Sequence, residues 1–114
     1  MENCLFCRIN KGEIPAQKVY DDESVFAIKD INPVAPTHIL IIPKKHYTTI
    51  LEIGDADQGM VGSIFMIANK IAEEQGLAKT GFRIVLNCGA LAGQSVFHIH
   101  YHLLGGRPMN WPPG

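Results

Sequence analysis

The sequence predicts an α+β fold, an antiparallel sheet covered on one face by one long helix, with a short helix at the N-terminus. Three observations carry this. Between Asp55 and Gln75, apolar residues recur at helical spacing. On both sides of that segment lie short runs rich in isoleucine, valine and aromatic residues. Near the C-terminus, residues 95–104 alternate between histidine or aliphatic residues on one side and aromatic or aliphatic residues on the other. Strands, then a helix, then strands is the order of an antiparallel sheet and not of repeated parallel crossovers.

Taken in order, Cys4 to Asn10 form a helical turn ended by Lys11-Gly12. Val19-Tyr20 and Val25 to Lys29 read as two strands around the acidic turn Asp21-Asp22-Glu23. Asn32-Pro33 and Ala35-Pro36 mark a loop, because proline turns its predecessor away from helix. Thr37 to Pro43 is a buried strand. The long helix spans Asp55 to Gln75, with Asp55 as its cap and Gln58 three residues on. Its apolar face is Val61, Ile64, Phe65, Ala68, Ile71 and Ala72, and Gly76 is its stop. Arg83 to Asn87 is a further strand, Cys88 to Gln94 a loop, and Ser95 to Leu104 the last strand before Gly105-Gly106.

A chain of 114 residues fits one domain spanning 1–114, and 46% hydrophobic residues against 18% charged ones exclude a disordered chain. A net charge of -1 gives no bulk attraction to nucleic acid or anionic membrane, so neither is expected as a partner. The longest purely apolar stretch, about residues 39–43, falls far short of a membrane span. The first residues lack the basic start and apolar run of a leader, so the expectation is a cytoplasmic protein. Three cysteines, an odd number, argue against a disulfide framework.

Alternation along the last strand puts Val96, His98, His100, His102 and Leu104 on one face, and Phe97, Ile99, Tyr101 and Leu103 on the other. Three imidazoles spaced roughly 7 Å apart by strand geometry are not a core face, because buried imidazoles need partners. A lone histidine here would be unremarkable, but three of the chain's five fall within five residues. Two chemistries compete. In one, His-x-His supplies ligands to a catalytic zinc. In the other, one imidazole attacks phosphorus while its neighbours orient it and donate to phosphate oxygens. Gly93-Gln94-Ser95, just before the strand, offers backbone N–H groups, an amide and a hydroxyl to phosphate, and Asn87 a further polar contact, which favours the second.

The run His98-Ile99-His100-Tyr101-His102-Leu103-Leu104 resembles the His-φ-His-φ-His-φ-φ motif of the histidine triad (HIT) nucleotide-binding superfamily. Pro36 to His46 is similar to that family's strand with its fourth active-site histidine, and Gly93 to Phe97 to its phosphate loop. Gly105 to Gly114 is similar to the C-terminus of the Hint branch. The resemblance implies a HIT-like fold whose sheet continues across a homodimer. It implies hydrolysis of purine nucleoside phosphoramidates of the AMP or GMP type, with no cofactor required for the chemistry. Carried over, His100 is the nucleophile, and His38, His98 and His102 support it. Asn87, Gly93, Gln94 and Ser95 contact phosphate and leaving group, and Asp30 the ribose hydroxyls. Leu5, Phe6, Ile9, Ile28 and Ile31 enclose the base, and Trp111 reaches the partner's site. From residue patterns alone, Asp30 reads as a turn residue, the apolar set as core and Trp111 as a tail residue packed on its own subunit.

Cys4-Leu-Phe-Cys7 has zinc-ligand spacing, but two ligands do not make a site. The resemblance extends here too, since some relatives hold a structural zinc with two cysteines and the histidines matching His46 and His98. With all four positions filled by protein such a zinc stabilises and does not catalyse. Two reduced cysteines on a helical turn are the plain alternative, and a thioredoxin-like role lacks its βαβ context. The same fold also hosts dinucleoside polyphosphate hydrolases, against which the Hint-like tail argues. A nucleotide-binding module that recruits partners without turnover is a third reading, against which the complete polar cluster around His100 argues.

Overall fold

The computed structural model describes residues 2–114. Helix α1 (Leu5–Asn10) is followed by strands β1 (Lys18–Asp21), β2 (Val25–Lys29) and β3 (Thr37–Pro43). Helix α2 (Gln58–Glu74) then crosses to β4 (Phe82–Val85) and β5 (Tyr101–Gly105). The sheet order is β1-β2-β3-β5-β4, and every neighbouring pair is antiparallel. The last strand in sequence therefore sits inside the sheet. Among the described residues, no helix is long and apolar enough to cross a membrane.

β2 and most of β3 are apolar on both faces, β5 is apolar on one, and the two faces of the sheet serve different layers. Val25, Ala27, Ile39, Ile41, Tyr101 and Leu103 pack with Ile64, Ile67, Ala68 and Ile71 of α2. Phe26, Ile28, Leu40 and Ile42 point the other way and pack with Phe6 and Ile9 of α1. Alternation carries His38 and His102 to this second face, because Leu40 pairs with His102 and His38 with Leu104. Burying each large aliphatic side chain contributes about 1.5–3 kcal/mol, so α2 is held chiefly by its packed face.

Several sequence expectations are corrected. The helix starts at Gln58 and not at Asp55, because residues 55–57 form a 3-10 turn. Asp57, not Asp55, supplies the carboxylate: it accepts the Gly54 N–H at 2.9 Å and the Tyr47 hydroxyl at 2.6 Å. The helix face contains Ile67, while Phe65 is 46% exposed. β4 ends at Val85, short of Asn87. The last strand is regular only from Tyr101 onward, so residues 95–100 are not a ladder strand. There the Ile99 N–H donates to the Tyr47 carbonyl at 2.9 Å, leaving the sheet. The side chains still alternate in the layer they enter: Ile99 joins the α2 core while His98 and His100 are buried on the opposite side, against Phe6.

Two glycines close the strand. A Cβ on Gly105 would lie 2.5 Å from Leu77 Cδ1, after the end of α2. Gly106 has φ +94°, and a Cβ there would lie 2.8 Å from Pro36 Cβ. The chain after β5 thus presses on the β2–β3 loop.

Candidate active site and metal centre

The hydrogen bonds of the triad fix its tautomers, since a carbonyl oxygen only accepts and a backbone N–H only donates. His100 Nδ1 lies 2.8 Å from the His98 carbonyl, so Nδ1 carries the proton and Nε2 keeps its lone pair. The Val34 N–H donates to His38 Nδ1 at 3.1 Å, so the His38 proton sits on Nε2. That Nε2 faces His102 Nδ1 at 3.0 Å and Asp30 Oδ2 at 3.3 Å. His102 therefore accepts at Nδ1 and carries its own proton on Nε2. The rings of His100 and His102 lie 5.0 Å apart, and Phe6 packs edge-on to His100 at 5.0 Å.

Burial holds all of these imidazoles neutral. It lowers the pKa of His38, His98 and His100 below the ordinary value. Burial, then the neighbouring His100 and His38, depresses His102 to about 4. At neutral pH the triad thus presents one bare nitrogen, on His100, beside one N–H donor, on His102.

Among the described residues, two groups bring ligand atoms within 4.8 Å of one another: Cys4, Cys7, His46 and His98, and Asp30, His38 and His102. Proton placement separates them. A metal on His38 Nε2 would leave that ring accepting the Val34 N–H at Nδ1 with no proton at all, an imidazolate, so the second group is not a neutral-imidazole metal site. In the first group His98 Nε2–H donates to the Pro43 carbonyl at 2.7 Å. Its Nδ1 lone pair faces Cys4 Sγ at 3.2 Å, His46 Nδ1 at 3.1 Å and Cys7 Sγ at 3.6 Å, and Cys7 Sγ lies 3.5 Å from His46 Nδ1. Tetrahedral zinc with N and S ligands has ligand-to-ligand edges of about 3.3–3.8 Å. Burial and the adjacent Cys4 push the Cys7 thiol up, so a thiolate there calls for a cation. The two Cys7 edges, 3.5 and 3.6 Å, fall inside that range and the other two, 3.1 and 3.2 Å, lie just below it, so the donor set fits a tetrahedral zinc with a slight expansion and no position left open for a substrate.

A cleft of about 440 Å3 opens on the α1 side of the sheet. It gathers Leu5, Phe6, Ile9, Ile28, Asp30, Ile31, Ser95, His38, His100 and His102 from the sequence-derived set. Asn87, Gly93, Gln94 and Trp111 do not line it. Gln94 is buried with its amide spent on the chain: Oε1 accepts the Gly89 N–H at 2.8 Å, and Nε2 donates to the carbonyls of Thr48 at 2.8 Å and Val96 at 3.1 Å. It braces the loop before Ser95. Trp111 is exposed, with the Arg83 guanidinium 6.0 Å from its ring. The sequence reading overlooks Ile14, Pro15, Val34 and Leu40 in the cleft wall. It also overlooks the Val34 N–H and the Pro43 carbonyl, backbone groups that carry no residue signature. The two prolines around Val34 were the one available signal that its backbone is held in a set conformation.

The HIT domain model matches residues 11–109. The chain is 49% identical to the 14 kDa zinc-binding protein of Zea mays over 112 residues, 96% of this chain and 87% of that protein. It superposes on the crystal structure of a HIT family hydrolase from Legionella pneumophila Philadelphia 1 with a TM-score of 0.96 and 53% identity, covering 98% of this chain and 100% of that one. The histidine triad nucleotide-binding protein from Candida albicans is similar at TM-score 0.84 and 32% identity, over 96% of this chain and 83% of that one. With its histidine motif intact and similarity running through nearly all of its length, the chain belongs to the HIT superfamily.

Proposed function

We propose that this protein hydrolyses the P–N bond of purine nucleoside 5′-phosphoramidates through a covalent intermediate on His100. The observation that carries this reading is the His98 carbonyl, which takes the Nδ1 proton of His100 and leaves Nε2 as a lone pair on a cleft-lining imidazole. Nε2 attacks phosphorus, the P–N bond breaks, and the amine departs with the proton of His102 Nε2. Water then attacks phosphorus and gives a proton back to His102 Nε2, the P–Nε2 bond breaks, and nucleoside monophosphate leaves. His102 Nε2–H is the donor beside the developing charge. Asp30, at the cleft edge, takes the ribose hydroxyls, and Phe6, Ile9 and Ile28 enclose the base. Ser95 and the backbone around Gly93 serve the phosphate, and Asn87 serves the leaving group. The names borne by the Legionella and Candida relatives, a hydrolase and a nucleotide-binding protein, support the class.

A second cleft of about 690 Å3 shares Leu5, Ser95 and Val96 with the first and continues past Phe97 and Thr48. It gives the leaving group room on the far side of Ser95. Zinc on Cys4, Cys7, His46 and His98 would bind no reactant; it would anchor His98, whose carbonyl orients His100. We further propose a homodimer. Among the described residues β4 pairs only with β5, leaving its outer edge open, and Phe65, Met66 and Phe82 are exposed apolar side chains. Dimerisation through this edge continues the sheet and brings Trp111 to the partner's cleft.

The test is hydrolysis of a fluorogenic adenosine phosphoramidate by the parent and by His100→Ala, with acid quenching to trap the adduct. Turnover and a nucleotidyl adduct in the parent, with both lost and nucleotide affinity kept within a few-fold in the variant, support the reading. Equal turnover in the two proteins overturns it. Brief chelation leaves turnover in place if zinc lies off the reaction path.

A further inference from the structure

The β2–β3 loop forms one wall of the cleft through Ile31, Asn32 and Val34. Among the described residues, positions 33–36 make no backbone-to-backbone hydrogen bond outside the sheet ladders. Val34 is nevertheless held at both ends. Its N–H donates to His38 Nδ1 at 3.1 Å, and its carbonyl accepts from Arg107 Nε at 3.0 Å. Arg107 Nη1 donates to the Pro108 carbonyl at 2.9 Å, so one planar guanidinium spans two carbonyls. The positive φ of Gly106 seats the chain against Pro36 and delivers Arg107 to this place.

We propose that Arg107 is a positioning residue that sets the tautomer of the triad. By gripping the Val34 carbonyl it keeps the Val34 N–H aimed at His38 Nδ1. That bond confines the His38 proton to Nε2, from which it is donated to His102 Nδ1. Without the grip, Asp30 Oδ2 at 3.3 Å is the remaining group that favours a proton on His38 Nε2, and the Nδ1 tautomer becomes accessible because its N–H no longer meets the Val34 N–H. Its Nε2 then faces His102 Nδ1 as two lone pairs 3.0 Å apart, and the pair is relieved when the His102 proton moves from Nε2 to Nδ1. The cleft then meets a lone pair where it had an N–H donor. Arg107 thus acts on a reacting group through the backbone of one residue, Val34, and one imidazole, without lining the cleft.

The tautomer does not depend on the reaction proposed above; only its effect on turnover does. The experiment is long-range 1H–15N correlation of the histidine rings in full-length protein, at a pH where the imidazoles are neutral. It compares the parent with Arg107→Ala, Arg107→Lys and Arg107→Gln, assigning signals with His38→Gln and His102→Gln. The parent is expected to show protons on His38 Nε2 and His102 Nε2. Arg107→Ala is expected to move both toward Nδ1 and to lower kcat about tenfold or more, since general acid catalysis is worth at least that much. Arg107→Lys, which keeps one donor, is expected to restore part of the parent pattern. Arg107→Gln keeps much of the side chain and serves if the alanine variant fails to fold. Parent-like ring nitrogens in a folded Ala or Gln variant overturn the proposal. Switched tautomers with undiminished turnover uphold the grip and overturn the donor role of His102.

Discussion

His102 is the residue on which pH acts most visibly. Its folded pKa of about 4 lies below the ordinary 6.5 of a histidine in an unfolded chain. As pH falls below 6.5 the unfolded chain takes up a proton that the folded one refuses, so stability declines from there down to about pH 4. At about 1.4 kcal/mol per pH unit the full shift corresponds to roughly 3 kcal/mol, and water reaching the half-buried ring screens this to about 1–2 kcal/mol. His38, lowered by burial against the pull of Asp30, adds to it in the same direction. The lowered carboxylates Asp21, Asp22 and Asp57 lose their contribution only below their ordinary 3.8, so the two effects occupy separate windows. Urea midpoints measured at pH 7, 5.5 and 4.5 should fall steadily, and less steeply in His102→Gln. A flat profile between pH 7 and 4.5 would contradict the placement of these imidazoles. Activity follows a different rule: His100 also has a lowered pKa, so its Nε2 stays available below pH 6.5, and the acid limb of kcat/KM should fall below that value.

Helix α2 shows what an element's packing is worth. Ile71 is 1% exposed in the sheet-facing cluster, so Ile71→Ala should cost about 2–5 kcal/mol in urea denaturation. A cost below about 1 kcal/mol would mean the helix does not rest on this face. The contrast with Phe65 shows what was readable beforehand. The period placed Ile64, Ala68, Ile71 and Ala72 on one stripe, but it admits either edge as the fourth row, and the packed edge is that of Ile67, with Phe65 left exposed. β2, β3 and the histidine alternation were legible because each strand's pattern meets a packed layer on both faces. The start of α2 was not, because Asp55 and Asp57 look equivalent until Tyr47 is seen to reach one of them. Of the site, the cleft-lining side chains were legible through family resemblance, with the motif as its anchor. Gln94 was not, since an amide beside glycine looks equally suited to a phosphate or to its own loop. Nor was the Val34 peptide, whose role is a matter of aim and not of side-chain identity.

At the scale of the whole molecule, α2 and the open edge of β4 carry exposed apolar residues that a second copy would cover. Sedimentation of the parent should give a dimer, and Phe65→Asp with Met66→Asp should shift it to monomer, with turnover reduced as Trp111 leaves the neighbouring cleft. A parent that stays monomeric at micromolar concentration would remove the dimer from the proposal.

The position of β5 has a consequence for how the chain comes into being. The strand made last lies between β3 and β4, so β4 has no partner until the ribosome has passed residue 105. Cys4 and Cys7, made first, meet His98 across most of the chain's length. Synthesis from one end therefore cannot build this protein piece by piece. A nascent chain that stalls before its final strand holds neither a continuous sheet nor a complete histidine cluster, and the candidate site is assembled by the same strand that finishes the fold.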